Sequence, residues 1–238
     1  MRLLLALAAL ALSGLGSLAH AGSCEQRSPT VFVIKGAIDP ALADCVDAKL
    51  RPTTTELVID SHGGDVNAAI DIAERLSSLK ALTLRVNGQC SSSCVNYILP
   101  MARRLLVGSQ AILESHGSID AAHVARAPPE RKAAMKALAD KQKAFARAHR
   151  IPPGWLFYHT AEAPTRVDGL DGAFRWRSEG PARFYLIEAP LLRSCLPWLD
   201  VDAYEAWLKG QMTPERVARL KKHGVVATGS VVCNGQRW

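Results

Sequence analysis

From residue 31 onward the apolar positions fall into short runs, separated by glycine- and serine-rich turns and by stretches of three- and four-residue spacing. Val31-Phe32-Val33-Ile34 is a continuous apolar run ending near Gly36 and predicts a buried strand. Residues 39–50 predict a helix: Asp39 can cap it, Pro40 suits its first position, and Leu42, Cys45, Val46 and Leu50 share one stripe. Leu57-Val58-Ile59 predicts a second strand. It runs into Asp60-Ser61-His62-Gly63-Gly64-Asp65, a turn where glycine permits a close backbone approach. Val66, Ala69, Ile70, Ala73, Leu76 and Leu79 then mark an amphipathic helix. Leu82, Leu84 and Val86 alternate as a strand does, and this strand is expected to break at Asn87-Gly88. After Gln89-Cys90-Ser91-Ser92-Ser93-Cys94, the run Val95, Tyr97, Ile98 and Leu99 lacks strict alternation and predicts one or two helical turns before Pro100.

Leu105-Leu106-Val107 and Ala111-Ile112-Leu113 bracket Gly108-Ser109 as two short strands, leading to Glu114-Ser115-His116-Gly117. Pro128-Pro129 opens a long helix to about Arg150, with Met135, Leu138, Phe145 and His149 on its stripe and Pro152-Pro153 at its end. Past Trp155 the pattern is irregular. A strand is expected at 184–187, a short helix at 202–208, and a helix from Thr213-Pro214-Glu215 to Gly224. Val225-Val226 and Val231-Val232-Cys233 predict a closing hairpin or tail strand. Strands alternating with helices imply parallel pairing with crossover helices, hence an α/β fold. Loops at the carboxyl ends of such strands are where ligands sit, which singles out 60–65, 87–93 and 114–118.

The first 21 residues change the picture. Arg2, the apolar run from Leu3 to Leu12 and the ending Ala19-His20-Ala21 predict a secretory signal cleaved after Ala21, and so a periplasmic or secreted protein. A membrane anchor fits less well, because Gly14, Gly16 and His20 interrupt a run already short for a span. No stable membrane insertion is expected elsewhere. Residues 22–190 are expected to form the main domain and 191–238 a C-terminal extension. The net charge of +7 gathers mainly around 132–150 and 216–222, on helix faces without interleaved aromatics, so nucleic acid is not an expected partner.

Six cysteines in an oxidising compartment favour disulfides. Cys90 with Cys94 is attractive, since four residues along a helical turn bring Cα atoms within bridging range of ~6 Å. Cys195 with Cys233 would tie down the tail. Metal ligation by Cys90, Cys94 and a histidine is the rival reading, weakened by the lack of a second Cys/His pair at ligand spacing, so no metal is expected.

A strand that gives way to a helix at a serine cluster presents small residues where free backbone N–H groups favour negative charge. A serine nucleophile gains there, because the next N–H can hold an oxyanion. The plainer alternative is a serine-rich helix cap with nothing to catalyse. A serine hydroxyl also needs a base to take its proton, and His116 lies one helix and one strand further on.

The strand, Ser61-His62-Gly63-Gly64-Asp65-Val66, the amphipathic helix, Gly88-Gln89-Cys90-Ser91-Ser92-Ser93-Cys94 and Ala111-x-Leu113-x-x-His116 together resemble the proteolytic subunit of the Clp protease. They resemble more closely its exported relatives within the ClpP/crotonase superfamily, over roughly residues 30–160. The resemblance implies a ClpP/crotonase-like parallel β-sheet with crossover helices. It implies Ser92 as nucleophile, His116 as general base, and Gly64 N–H with Ser93 N–H as oxyanion hole. It also implies a peptide or small acyl substrate, a homo-oligomer and no cofactor. No Clp ATPase partner is expected, because that unfoldase is cytosolic. The family's acid falls after the long helix, before a strand like Phe174-Arg175-Trp176. Asp171 stands near that place, as does Asp168, but neither fits the motif cleanly. A Ser–His dyad and an inactive site therefore stay open. His62 replaces a usual proline and reads as a second base, a substrate contact or, preferably, an exposed side chain; His116 itself has a surface role as its alternative. Two functions follow: an exported serine hydrolase, chiefly a peptidase, or a catalytically inactive scaffold or binding protein. An acyl-CoA enzyme is a distant third, since export removes that cofactor pool.

Overall fold

The computed structural model describes residues 21–157, 183–227 and 233. Strand β1 (Ser23–Gln26) leads to β2 (Val31–Lys35), helix α1 (Pro40–Lys49), β3 (Glu56–Ser61), α2 (Val66–Ser77) and β4 (Thr83–Ser91). A π-helical turn (Cys94–Ile98) and a 3-10 turn (Leu99–Met101) follow, then β5 (Arg104–Val107) and β6 (Ile112–Ser115). The helices α3 (Ala121–Arg126), α4 (Pro129–Ala148) and α5 (Pro153–Phe157) come next. After the undescribed stretch stand β7 (Phe184–Leu186), α6 (Ala189–Cys195), α7 (Asp202–Gln211), α8 (Pro214–Lys222) and β8 (Val225–Ala227).

These eight strands form one sheet in the order β1-β2-β3-β4-β6-β7-β8, with β5 also paired to β4. The fold is α/β, and the sheet is mixed rather than wholly parallel: β1 runs antiparallel to β2, and β7 antiparallel to β6. All other pairings are parallel. The central strands β2 and β3 bury Phe32, Val33, Ile34, Leu57, Val58 and Ile59. Strands covered on both faces need such continuous apolar runs, which is why they read so plainly in the sequence. Asp39 caps α1 by accepting the Leu42 N–H at 2.7 Å, and Asp65 caps α2 by accepting the Ala68 N–H at 2.8 Å. Helix α2 buries Ala68, Ala69, Ile70, Ile72, Ala73 and Leu76 in the core cluster that the central strands also enter.

β4 does not break at Gly88 but continues to Ser91, and it serves two neighbours in turn: Thr83–Val86 pair with β5 and Gln89–Ser91 with β6. The glycine is needed because the Asp60 carboxylate lies over it. A Cβ on Gly88 would stand 2.3 Å from Asp60 Oδ1, and the Gln89 N–H donates to that same oxygen at 2.9 Å. The β3–β4 register shifts between Ile59 and Ser61 at this point. Glycine here marks a close approach within a strand, not its end.

Residues past 190 join the same sheet through β8, which pairs with β7. Tyr204 Oη donates to Ile187 O at 2.5 Å, and Arg216 donates to Ala111 O at 2.5 Å. Of the expected tail strand at 231–233, only Cys233 is among the described residues.

All six cysteines are paired, as Cys24–Cys45, Cys90–Cys94 and Cys195–Cys233. Metal ligation by Cys90 and Cys94 is thereby overturned, since each sulfur is bonded to the other. Three disulfides fit an oxidising compartment. Among the described residues no helix is long and apolar enough to cross a membrane. Residues 1–20, which carry nearly all of the expected signal, lie outside the described residues.

Candidate functional site

The carboxyl ends of β3, β4 and β6 converge on one place. At the end of β4 the chain turns sharply at Ser92, whose φ of 55° lies in the left-handed region. A residue with a Cβ is uncommon there, and such strain gathers at functional turns. The turn is pinned from both sides. Ser92 N–H donates to Glu114 O at 2.9 Å, and Ser92 O accepts the Asn96 N–H at 3.0 Å as the π-helical turn begins. The Cys90–Cys94 disulfide spans it, with Cα atoms 5.3 Å apart.

β6 ends at Ser115 and delivers His116 to the same spot, where Gly117 turns the chain with φ 85°. Ser92 Oγ and His116 Nε2 are 2.8 Å apart, which is hydrogen-bond distance. The imidazole packs against the Phe184 ring of β7 at 5.7 Å between centroids. Its edge is open to solvent, yet burial of the rest holds its pKa below the usual histidine value. A hydrogen bond with its own backbone partly offsets this, and the nearby His123 adds to the lowering. A histidine so placed is neutral at neutral pH and keeps a lone pair to accept a proton.

The glycine turn 63–64 lies against this elbow. A Cβ on Gly63 would stand 2.8 Å from Ser92 Cβ, and one on Gly64, where φ is 151°, would stand 2.1 Å from Ile38 O. Ile38 N–H donates to Gly63 O at 2.9 Å, and Ile38 O accepts the Asp65 N–H at 2.7 Å. Two glycines are therefore required for the three segments to meet. The Gly64 N–H donates to Ser93 Oγ at 2.9 Å, so the amide expected to face an oxyanion is covered by the Ser93 side chain. His62 is exposed on the neighbouring loop.

Val66, Ser92, His116, Ile119 and His123 help line a cavity of about 150 Å³ at this point. His123 Nδ1 lies 2.7 Å from Asp120 Oδ1. No carboxylate among the described residues hydrogen-bonds His116; Asp168 and Asp171 lie outside them. Glu114 instead accepts from Ser91 Oγ at 3.3 Å, and burial pushes its carboxyl pKa up. Among the described residues no group of three His, Cys, Asp or Glu side chains could hold a metal ion.

Beneath the pair lies a buried polar network that sequence reasoning missed. Asn96 bonds to Ser115, Gly117 and Ser118, while Tyr97 Oη contacts Ser118 Oγ at 3.3 Å and donates to Gln142 Oε1 at 3.0 Å. Gln142 Nε2 in turn donates to Ile119 O. Burial pushes the Tyr97 phenol up to about 12, which keeps it protonated as a donor. A signal was available: Asn96 interrupts an apolar run and Gln142 falls on the buried side of α4. Buried amides persist only with partners. No family model and no curated protein matches the chain.

Proposed function

We propose that this protein is an exported serine hydrolase of the ClpP/crotonase type, a peptidase acting on small or unfolded peptides through an acyl-enzyme on Ser92. The observation that carries the reading is the 2.8 Å contact between Ser92 Oγ and His116 Nε2 at the strand ends. Since Nε2 faces the serine, Nδ1 is the nitrogen near the residue's own backbone. A proton held at Nδ1 leaves Nε2 as the acceptor. As Ser92 Oγ attacks a substrate carbonyl carbon, Nε2 takes its proton. The resulting imidazolium then gives that proton to the leaving amine as the C–N bond breaks. Water, deprotonated by the same nitrogen, hydrolyses the ester. The Ser93 N–H and, once the Ser93 hydroxyl rotates off it, the Gly64 N–H are the donors for the oxyanion. A cavity of about 150 Å³ walled by Val66 and Ile119 suits a small apolar substrate group.

A fluorophosphonate probe tests this. One serine of the folded protein should be labelled, with labelling lost in Ser92→Ala and slowed on the order of a hundredfold in His116→Ala. An unlabelled folded wild type, or labelling that survives Ser92→Ala, overturns the reading. The second reading is an inactive exported scaffold or binding protein. The Ser93 side chain covering Gly64 N–H favours it. It expects Ser92→Ala to leave the biological role intact.

A further inference from the structure

We infer that Asn96 is the positioning residue that holds His116 against Ser92, by fixing the turn that carries the imidazole rather than by bonding the ring itself. The inference rests on the reading of Ser92 and His116 as the reacting pair, and it adds a residue that neither composition nor motif singled out. Asn96 is only 2% exposed, and every polar group it owns is engaged. Its side-chain oxygen accepts from Ser115 Oγ at 2.9 Å. Its Nδ2 donates to Gly117 O at 3.2 Å and to Ser118 Oγ at 3.0 Å. Its backbone N–H donates to Ser92 O, and its backbone carbonyl accepts from Trp155 Nε1 at 3.1 Å.

Ser115 and Gly117 flank His116 in the chain. The Gly117 N–H also donates to Ser115 Oγ at 3.1 Å, so the turn carrying the imidazole is closed on itself and then tied, on both sides, to one amide. That amide belongs to the residue whose backbone N–H is bonded to the carbonyl of Ser92. One residue therefore references base and nucleophile to a common origin. With the Cα of His116 fixed in this way, the Phe184 ring and the contact with Ser92 Oγ are left to set the ring's rotation.

The residue type is demanded by the geometry. The site needs one acceptor and two donors in a plane, which only an unbranched amide of this length supplies. A carboxylate would face Gly117 O with no proton, and a leucine of similar size would leave the Ser115 hydroxyl proton without its acceptor and Gly117 O without the amide donor. The rest of the network has a different task. Tyr97, Gln142 and the Ser118 N–H bond to Leu156 O at 3.1 Å hold residues 118–119 to α4 and α5, beyond the turn that carries His116. Among the described residues Asn96 alone bonds through its side chain to groups on both sides of the histidine, so it is separable from its neighbours by experiment.

The experiment compares Asn96→Ala, Ser115→Ala and Tyr97→Phe in the full chain. His116 is followed by NMR titration of its ring nitrogens, with Asp120, His123 and Glu114, the titratable groups around it, held constant across the series. In wild type the His116 titration is expected below that of an ordinary histidine, because the ring is partly buried. In Asn96→Ala and Ser115→Ala the loosened turn lets water reach the ring, and the titration should move up toward the ordinary value. In Tyr97→Phe it should stay where it is. Fluorophosphonate labelling of Ser92 should slow on the order of tenfold to a hundredfold in Asn96→Ala and stay within about twofold in Tyr97→Phe. If Asn96→Ala does not fold, Asn96→Ser, which loses the amide but keeps the Gly117 N–H bond to Ser115 Oγ, decides the matter in its place. A His116 titration unchanged in whichever variant folds overturns the inference, as does an equal shift in Tyr97→Phe. Absence of labelling in wild type overturns the hydrolase reading only, because the titration still reports whether Asn96 sets the histidine.

Discussion

Cys90 and Cys94 are bonded to each other with Ser92 midway between them, so the shortest of the three disulfide loops is the one that carries the candidate nucleophile. Both cysteines are fully buried, and the backbone they enclose passes through the left-handed region at Ser92. The bridge limits the ways in which that backbone can relax. Replacing both cysteines, as Cys90→Ala with Cys94→Ala, should lower the unfolding free energy by about 2 kcal/mol in urea denaturation, the loss expected for so short a loop. Fluorophosphonate labelling of the variant should slow while its far-ultraviolet circular dichroism stays that of wild type.

Burial holds the His116 pKa below 6.5, and the sign of the consequence is definite. The ring must be neutral to accept the Ser92 proton, so the rate of labelling should rise with pH through a midpoint below that of a free histidine and then level off. Stability follows the same direction. The folded state resists protonation, so the His116 contribution is fully present above pH 6.5. It is lost as pH falls from there to the depressed folded value, where the loss stops. A labelling midpoint at or above 6.5 would contradict the assigned environment.

Gly64 and Gly210 make a matched pair of glycines with opposite expectations. At Gly64 a methyl would meet Ile38 O at 2.1 Å in a backbone region that side chains rarely adopt; at Gly210, in α7, it would meet nothing within 4 Å. Gly64→Ala should cost about 2–4 kcal/mol and abolish labelling. Gly210→Ala should gain up to about 1 kcal/mol through helix propensity and leave labelling unchanged. Chemical denaturation of the two variants side by side checks both.

Ser93 covers the Gly64 amide at 2.9 Å, and in the proposed mechanism this contact must break when an oxyanion forms. Ser93→Ala removes the competitor and keeps the backbone N–H of residue 93. Labelling of Ser92 should then speed up by about fivefold, the factor equivalent to one net hydrogen bond of ~1 kcal/mol. A rate that falls instead would mean that the Ser93 hydroxyl is itself a donor to the oxyanion.

Much of the frame was legible because its causes are local. Buried parallel strands need unbroken apolar runs, and Val31 to Ile34 and Leu57 to Ile59 are such runs. Capping by Asp39 and Asp65 follows from a carboxylate placed three residues before an orphan N–H. Gly88 misled for the converse reason. Its role is set by Asp60, twenty-eight positions earlier, and a glycine excused by a distant carboxylate looks in sequence like a break.

The chain by itself determined the α/β alternation, the two glycines and the serine cluster that flank a common edge, and the spacing that permits Cys90 and Cys94 to pair. Each depends on neighbours a few bonds away, so residue order suffices. Only tertiary structure decided that Ser92 Oγ meets His116 Nε2, that Ser93 rather than solvent covers Gly64 N–H, and that Asn96 clasps both sides of the histidine. Those contacts join segments some twenty to thirty residues apart, and hydrogen bonds change character over fractions of an ångström. That precision comes from packing the whole sheet, and no local pattern encodes it.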